Sequence, residues 1–174
     1  SLTITIVCRK PGESNGMSSV PLKTAGIKKR RLKLRTYPDP VLMRRCNPVS
    51  TFDKRIGDFV ERMHVFMKKH SGIGLAAPQV GVLYRIVVAE VEGRPLALIN
   101  PAVVSVSSDF ETKREGCLSL PERAYDVKRS FHIEVRGKTP EGKGVHFEAD
   151  QLLARVIQHE IDHLDGMLIC DTGL

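Results

Sequence analysis

The clearest hydrophobic pattern in the chain lies between residues 53 and 70. Ile56, Phe59, Val60, Met63, Phe66 and Met67 recur at steps of three and four, which puts them on one face of an amphipathic helix that Ser50, Thr51 or Asp53 can cap. A glycine-rich turn at 71–74 follows, then an apolar segment broken by Pro78. Residues 85–91 and 95–99 read as strands joined by a turn at Glu92, Gly93 and Arg94. Further strands are expected at 102–107, 131–136 and 144–148, the last two separated by the turn signal Thr139-Pro140-Glu141-Gly142. Helical spacing returns at Leu152, Leu153, Val156 and Ile157, in a final helix that Asp150 or a neighbour opens and Gly166 ends. Short connections between strands favour antiparallel pairing, so the pattern predicts an α+β fold.

That final helix carries the strongest chemical signal, Gln158-His159-Glu160-Ile161-Asp162-His163. On a helix, His159 and His163 share a face one turn apart and can grip one metal ion, with Glu160 beside them to take a proton from an activated water. Composition alone yields His-Glu-x-x-His about one time in a hundred, so the motif needs support from elsewhere. The bland alternative is an amphipathic helix whose histidines are satisfied by solvent or a carboxylate. A catalytic site of this type takes a third protein ligand. The continuation with a third histidine would need His at 169, where Ile stands, and Asp165 and Asp171 read as capping or surface groups. The third ligand is therefore expected upstream.

Four cysteines are available, Cys8, Cys46, Cys117 and Cys170, at spacings too wide to suggest a disulfide framework. Cys117 stands apart in Glu115-Gly116-Cys117-Leu118-Ser119-Leu120-Pro121, where a glycine permits close backbone approach and apolar neighbours exclude water. A thiolate facing two imidazoles suits zinc or ferrous iron, and an ordinary buried thiol remains the alternative.

Taken in order, Gly72-Ile73-Gly74-Leu75-Ala76-Ala77-Pro78-Gln79, Glu115-Gly116-Cys117-Leu118-Ser119 and Gln158-His159-Glu160-Ile161-Asp162-His163 resemble the three motifs of the peptide deformylase family. Tyr37-Pro38-Asp39-Pro40-Val41-Leu42 resembles the start of its domain, and the likeness runs from about Leu34 to about Asp171. The resemblance implies antiparallel sheets around a central metal-bearing helix, and removal of the formyl group from the initiator methionine of new proteins. It implies that Cys117, His159 and His163 hold one divalent ion, Fe(II) in the cell, with Zn, Ni or Co tolerated. Glu160 would be the acid–base residue, and the Gln79 amide and the Leu118 N–H would meet the oxyanion. For Gln79 a simple loop hydrogen bond is the alternative. The nascent chain would lie beside Ile73, Gly74 and Gly116, its methionine near Leu152, Val156 and His159; Leu152 and Val156 serve equally well as core residues on periodicity alone. Glu115 and Arg129 would form a structural pair. The implied partners are N-formyl-methionyl nascent chains near the ribosome exit, in the bacterial cytoplasm, or in a mitochondrion or plastid if a targeting segment is present. Many bacterial members continue into a further C-terminal helix, whereas this sequence stops at Leu174.

Composition changes this picture in one place. With 174 residues and 41% apolar content the chain supports one compact domain, and it has no apolar run long enough for a membrane span. The net charge of +7 suggests nucleic acid until it is located. Residues 1–35 hold nine Lys or Arg and one acid, a balance of +8, which leaves 36–174 at −1. The charge therefore belongs to a basic, poorly ordered tail of targeting, upstream or cloning origin, ahead of a metal-dependent domain at 36–174, and no specific nucleic-acid or membrane partner is expected. Two other classes share part of the pattern. A small metalloprotease leaves Gln79 and Cys117 unexplained, and a closed metal-binding module needs a fourth ligand, for which Cys170 is nearest.

Overall fold

A computed structural model of the chain describes residues 31–173. Helix α1 spans Lys54–Lys69 and begins where the Asp53 carboxylate accepts the Arg55 N–H at 2.9 Å. Of the three candidate caps, Asp53 is the one that satisfies an orphan donor of the first turn. The expected apolar stripe is the buried one: Ile56, Phe59, Met63 and Met67 are at most 1% exposed.

Strands β1 (Gly74–Ala76), β2 (Ile86–Val91), β3 (Arg94–Val106), β6 (His132–Lys138) and β7 (Gly144–Asp150) form one antiparallel sheet in the order β1-β2-β3-β6-β7. Successive side chains of β2 point to opposite faces, and both faces are covered. Ile86 and Val88 pack with α1, Phe59 and Met63 on one side. On the other, Val87 joins Leu98, Val135, Ala154, Ile157 and Leu164, the last three from helix α2 (Gln151–Leu164). The sheet is thus held between α1 and α2, and α2 is the central helix that carries the His-Glu-x-x-His motif. A third cluster joins Leu42, Leu120, Val127, Leu168 and Ile169, tying the short helix α3 (Ile169–Thr172) to the rest.

Two strand assignments from the pattern need correction. Residues 95–99 and 102–107 belong to the single strand β3, because the break at Asn100-Pro101 is absorbed by a register shift between Ile99 and Ala102. Asn100 sits at φ 53° with its side chain bonded to the N–H and C=O of Val49, both at 2.8 Å, and Pro101 falls where the ladder needs no donor. The pattern also missed β4 (Phe110–Cys117) and β5 (Leu120–Ser130), a separate two-stranded ribbon. The turn between β2 and β3 lies where it was expected but is shorter, two residues long, with Glu92 and Gly93 at positive φ and Arg94 already in β3. Gly166, at φ 76°, follows the end of α2, and a side chain there would meet the Met43 carbonyl at 2.8 Å.

Residues 1–30 of the expected tail lie outside the described residues. Within 31–35, Leu32 packs against the α1 cluster and the Arg35 N–H bonds to Gln79 O at 2.7 Å, so packing reaches back into the stretch that charge alone grouped with the tail.

Candidate active site

Three elements converge on one cleft of about 820 Å³. Helix α2 carries His159, Glu160 and His163 beside the stripe of Ala154, Ile157 and Leu164 that packs on the sheet. The ribbon supplies Cys117 at the end of β4, where the two-residue connection Leu118-Ser119 turns the chain back into β5. The edge strand β1 and the 3-10 turn Ala77–Val80 supply Gly74 and Gln79. Residues far apart in sequence are therefore joined because β1 and the ribbon both pack on α2.

Cys117, His159 and His163 form the one group among the described residues with metal-ligand chemistry, their donor atoms all within 4.8 Å of one another. Cys117 Sγ lies 3.3 Å from His163 Nε2, and the two imidazoles are 4.9 Å apart between ring centroids. Cys170 is not in the group, which removes the closed four-ligand module. Burial pushes the His163 pKa well below its ordinary value, keeping the ring neutral as a ligand must be, and its buried Nδ1 has no hydrogen-bond partner. For His159 burial also opposes protonation, but hydrogen bonds to Cys117 and Glu115 outweigh it and raise its pKa to about 10. The groups around His159 thus favour a positive charge at this point, and a divalent cation would suit the same surroundings. The donor set fits a metal ion of borderline softness.

The groups behind the ligands are equally ordered. Glu115 Oε2 lies 2.9 Å from His159 Nδ1, which leaves Nε2 turned to the cleft. Arg129 clamps the same carboxylate from the other side through Nε and Nη2, each at 3.0 Å, and reaches Asp162 through Nη1 at 2.5 Å. Burial would raise the Glu115 pKa, yet the His159 and Arg129 hydrogen bonds bring it down to about 2. The expected Glu115–Arg129 pair is thus present, with Asp162 as a third member.

Glu160 is 4% exposed, its Oε2 has no protein partner, and burial lifts its pKa to about 7 against the pull of His159 and Arg129. Gly74 is required beside it: a Cβ at that position would come inside van der Waals contact with Glu160 Oε1 and within 2.9 Å of both Glu160 Cδ and Val156 Cγ1. Gln79 is 2% exposed and its orientation is fixed, since Oε1 accepts the Ala76 N–H at 2.8 Å while Nε2 donates to Ser119 Oγ at 3.1 Å and faces Cys117 Sγ at 3.6 Å. Ile73, Gly74, Gly116, Leu118, Leu152 and Val156 all line the same cleft. Ile73 and Leu152 are about half exposed, at 49% and 48%, whereas Val156 is buried. A groove of about 890 Å³ between residues 31–34 and α1 is larger, but none of its lining residues belongs to the ligand group, so size does not mark the site.

Sequence reasoning missed Ser119, fully buried against Gln79, and Arg155, which donates to Glu115 Oε1 at 2.7 Å. Ser119 lies inside a motif and could have been weighed as the partner of Gln79. Arg155 gave no signal, because an Arg on an amphipathic helix reads as a solvated face.

Comparison with known proteins agrees with this geometry. The sequence profile described as polypeptide deformylase matches residues 31–173. A peptide deformylase of Thermotoga maritima is 42% identical over 139 residues, which span 80% of this chain and 85% of that protein. The crystal structure of peptide deformylase from the same organism superposes with a TM-score of 0.81 at 41% identity, covering 83% of this chain and 99% of that one. A peptide deformylase from Synechococcus elongatus, solved in complex with actinonin, superposes at 0.80 with 37% identity, covering 91% of this chain and 88% of that one.

Proposed function

The chain belongs to the polypeptide deformylase family, and on that premise we propose that Cys117, His159 and His163 hold the metal ion while Glu160, Gln79 and the Leu118 N–H carry the reaction. The enzyme is a metal-dependent hydrolase that removes the N-formyl group from nascent peptides and releases formate. The observation that carries the residue assignment is the convergence of one cysteine sulfur and two imidazoles beside a buried carboxylate that has no protein partner on Oε2.

A divalent ion held there would supply Lewis acidity, polarising the formyl oxygen and lowering the pKa of a water. The remaining steps belong to the chain. Glu160 takes a proton from the attacking water and delivers it to the departing amine, and burial favours this by bringing its pKa to about 7, near the working pH. Attack on the formyl carbon puts negative charge on the formyl oxygen, and that oxyanion needs donors already in place. Gln79 is suited to this, since the bonds to Ala76 and Ser119 hold its amide NH₂ toward Cys117 without reorganisation. The Leu118 N–H is the second donor in this reading. Glu115 keeps the proton of His159 on Nδ1.

The substrate adds as a strand. β1 stands at the end of the sheet order, with β2 on one side only, and Gly116 near the end of β4 lines the same cleft as Ile73 and Gly74. The methionine side chain enters between Leu152, Val156 and His159. We assign Fe(II) as the cellular ion, which a thiolate with two imidazoles suits as well as zinc, nickel or cobalt. We place the reaction near the ribosome exit in the bacterial cytoplasm, or in an organelle if residues 1–35 include a targeting segment. The curated relatives compared are bacterial, and no helix among the described residues is long and apolar enough to cross a membrane. The test is formate release from a formyl-Met peptide by protein loaded anaerobically with Fe(II) or nickel. Activity should appear with both and decay faster in air for iron; equal decay would argue against iron as the labile ion.

A further inference from the structure

We propose that Arg155 is a positioning residue for the metal site, the tie that fixes the distance between the helix carrying two ligands and the strand carrying the third. The inference rests on the metal site proposed above. Arg155 lies on α2, one turn before His159, and is 7% exposed although it is a cation. A buried guanidinium persists only where its donors are matched, and here they are matched across three strand positions. Nη1 donates to Glu115 Oε1 at 2.7 Å and to Val127 O at 3.0 Å, and Nη2 donates to Glu111 O at 2.6 Å. Glu111 and Glu115 are on β4 and Val127 is on β5, so one side chain stitches α2 to both strands of the ribbon.

The ribbon is also tied to α2 from β5, by Arg129 Nη1 to Asp162 and by Gln158 to the Ser130 backbone, whereas Arg155 reaches β4, the strand that carries Cys117. It is a two-stranded sheet without a ladder to the five-stranded sheet, and its outward residues Thr112, Lys113 and Arg114 are exposed. Cys117 sits at its end, two residues beyond Glu115. The bonds between α2 and β4 therefore act most directly on the position of the Cys117 sulfur relative to His159 and His163. Those bonds run through the Glu111 carbonyl and through Glu115, which receives Arg155, Arg129 and His159 together. Arg129 lies on β5 and steadies the carboxylate from within the ribbon, while Arg155 is the arginine that reaches Glu115 from the helix. Removing Arg155 leaves Glu111 O and Val127 O without this donor and leaves the Glu115 carboxylate, still held by Arg129 within the ribbon, joined to the helix through His159 alone. It touches no ligand.

The experiment measures zinc affinity by competition with a chelator, using the full chain and its Arg155→Met and Arg155→Lys variants. Loss of the direct partner of a metal-ligating histidine lowers affinity by about 10- to 100-fold, and Arg155→Met, which loosens that partner without removing it, should cost about tenfold, the lower end of the range. Lys keeps the charge but lacks the fork that reaches three acceptors, so Arg155→Lys should fall between. A cobalt-loaded sample reads the geometry directly: the thiolate-to-cobalt absorption should weaken or shift in both variants at saturating metal. Urea unfolding of the metal-free proteins supplies the folded fraction, and an affinity loss that vanishes after that correction would overturn the proposal, as would affinities within threefold of wild type. Should Arg155→Met not fold, Arg155→Lys in a Glu115→Gln background decides the matter. Little further loss is expected there, because both changes cut the same link, and full additivity would overturn the proposal. A wild-type affinity indifferent to Cys117→Ala would remove the metal site itself and this inference with it, an outcome distinct from an unaffected Arg155 variant.

Discussion

Replacing Gly74 with Ala adds one methyl group at the most crowded point of the site. The new Cβ would overlap Glu160 Oε1 and approach Glu160 Cδ and Val156 Cγ1 to 2.9 Å each. Neither neighbour has room to yield, since Glu160 is 4% and Val156 5% exposed, so the carboxylate or strand β1 must shift. Overpacking of this kind costs about 1–3 kcal/mol, which in a domain of this size lowers Tm by roughly 2–12 °C. The catalytic effect should be larger, because a displacement of about 1 Å at a reacting group can cost about 10²-fold. The assay is kcat/KM for formate release from a formyl-Met peptide, with Tm and metal content measured on the same preparation. The expected result is about a hundredfold loss with metal retained. Gly116→Ala is the control: a Cβ there meets nothing within 4 Å, so the fold should be unaffected and any effect should fall on KM through the bound peptide. A Gly74→Ala variant with kcat/KM within threefold of wild type would refute the claim that Glu160 is held by that close approach.

Other outcomes follow from the same contacts. Cys117→Ala, His159→Ala and His163→Ala should each weaken metal binding and destabilise the folded protein, and full occupancy in Cys117→Ala, read by elemental analysis, would place the third ligand elsewhere. Glu115 has a folded pKa depressed from 4.5 to about 2, so its stabilisation is present above about pH 4.5 and fades as pH falls toward 2. Urea unfolding should show an excess stability of wild type over Glu115→Gln, on the order of 3 kcal/mol at pH 6, that shrinks steadily below pH 4.5; a pH-independent difference would contradict the shift. Removing residues 1–30 should leave turnover on a short formyl-Met peptide within about threefold, since every assigned catalytic residue lies between 72 and 163, and abolished turnover in a folded truncation would give the tail a role in the site.

The sequence reveals those parts of the fold where a local pattern answers to burial. Helix α1 was legible because its stripe faces a packed sheet, and the metal motif because two histidines and a glutamate must share one helical turn. The ribbon was not legible. β4 reads Phe-Glu-Thr-Lys-Arg-Glu-Gly-Cys, and the one fully enclosed side chain in that run is the charged Glu115, so no apolar alternation exists to detect. Its attachment to α2 includes the ion network of Glu115, Arg129, Arg155 and Asp162, which leaves no periodic trace. Asn100-Pro101 failed for a related reason: it looks like the end of a strand and is a bulge inside one, stabilised by Val49, fifty-one residues away in sequence. At the site the three proposed ligands were suggested by motifs, whereas the side chains that contact them depend on packing between elements that only the folded chain brings together.

The central claim is that Glu160 moves the proton and does not hold the metal. The direct measurement is formate release by Glu160→Gln alongside its metal content, both compared with wild type loaded under the same anaerobic conditions. Metal content should be unchanged, because the thiolate and both imidazoles remain in place, while turnover should fall by about 10²- to 10⁴-fold. Wild-type turnover in that variant, or loss of its metal, would contradict the account.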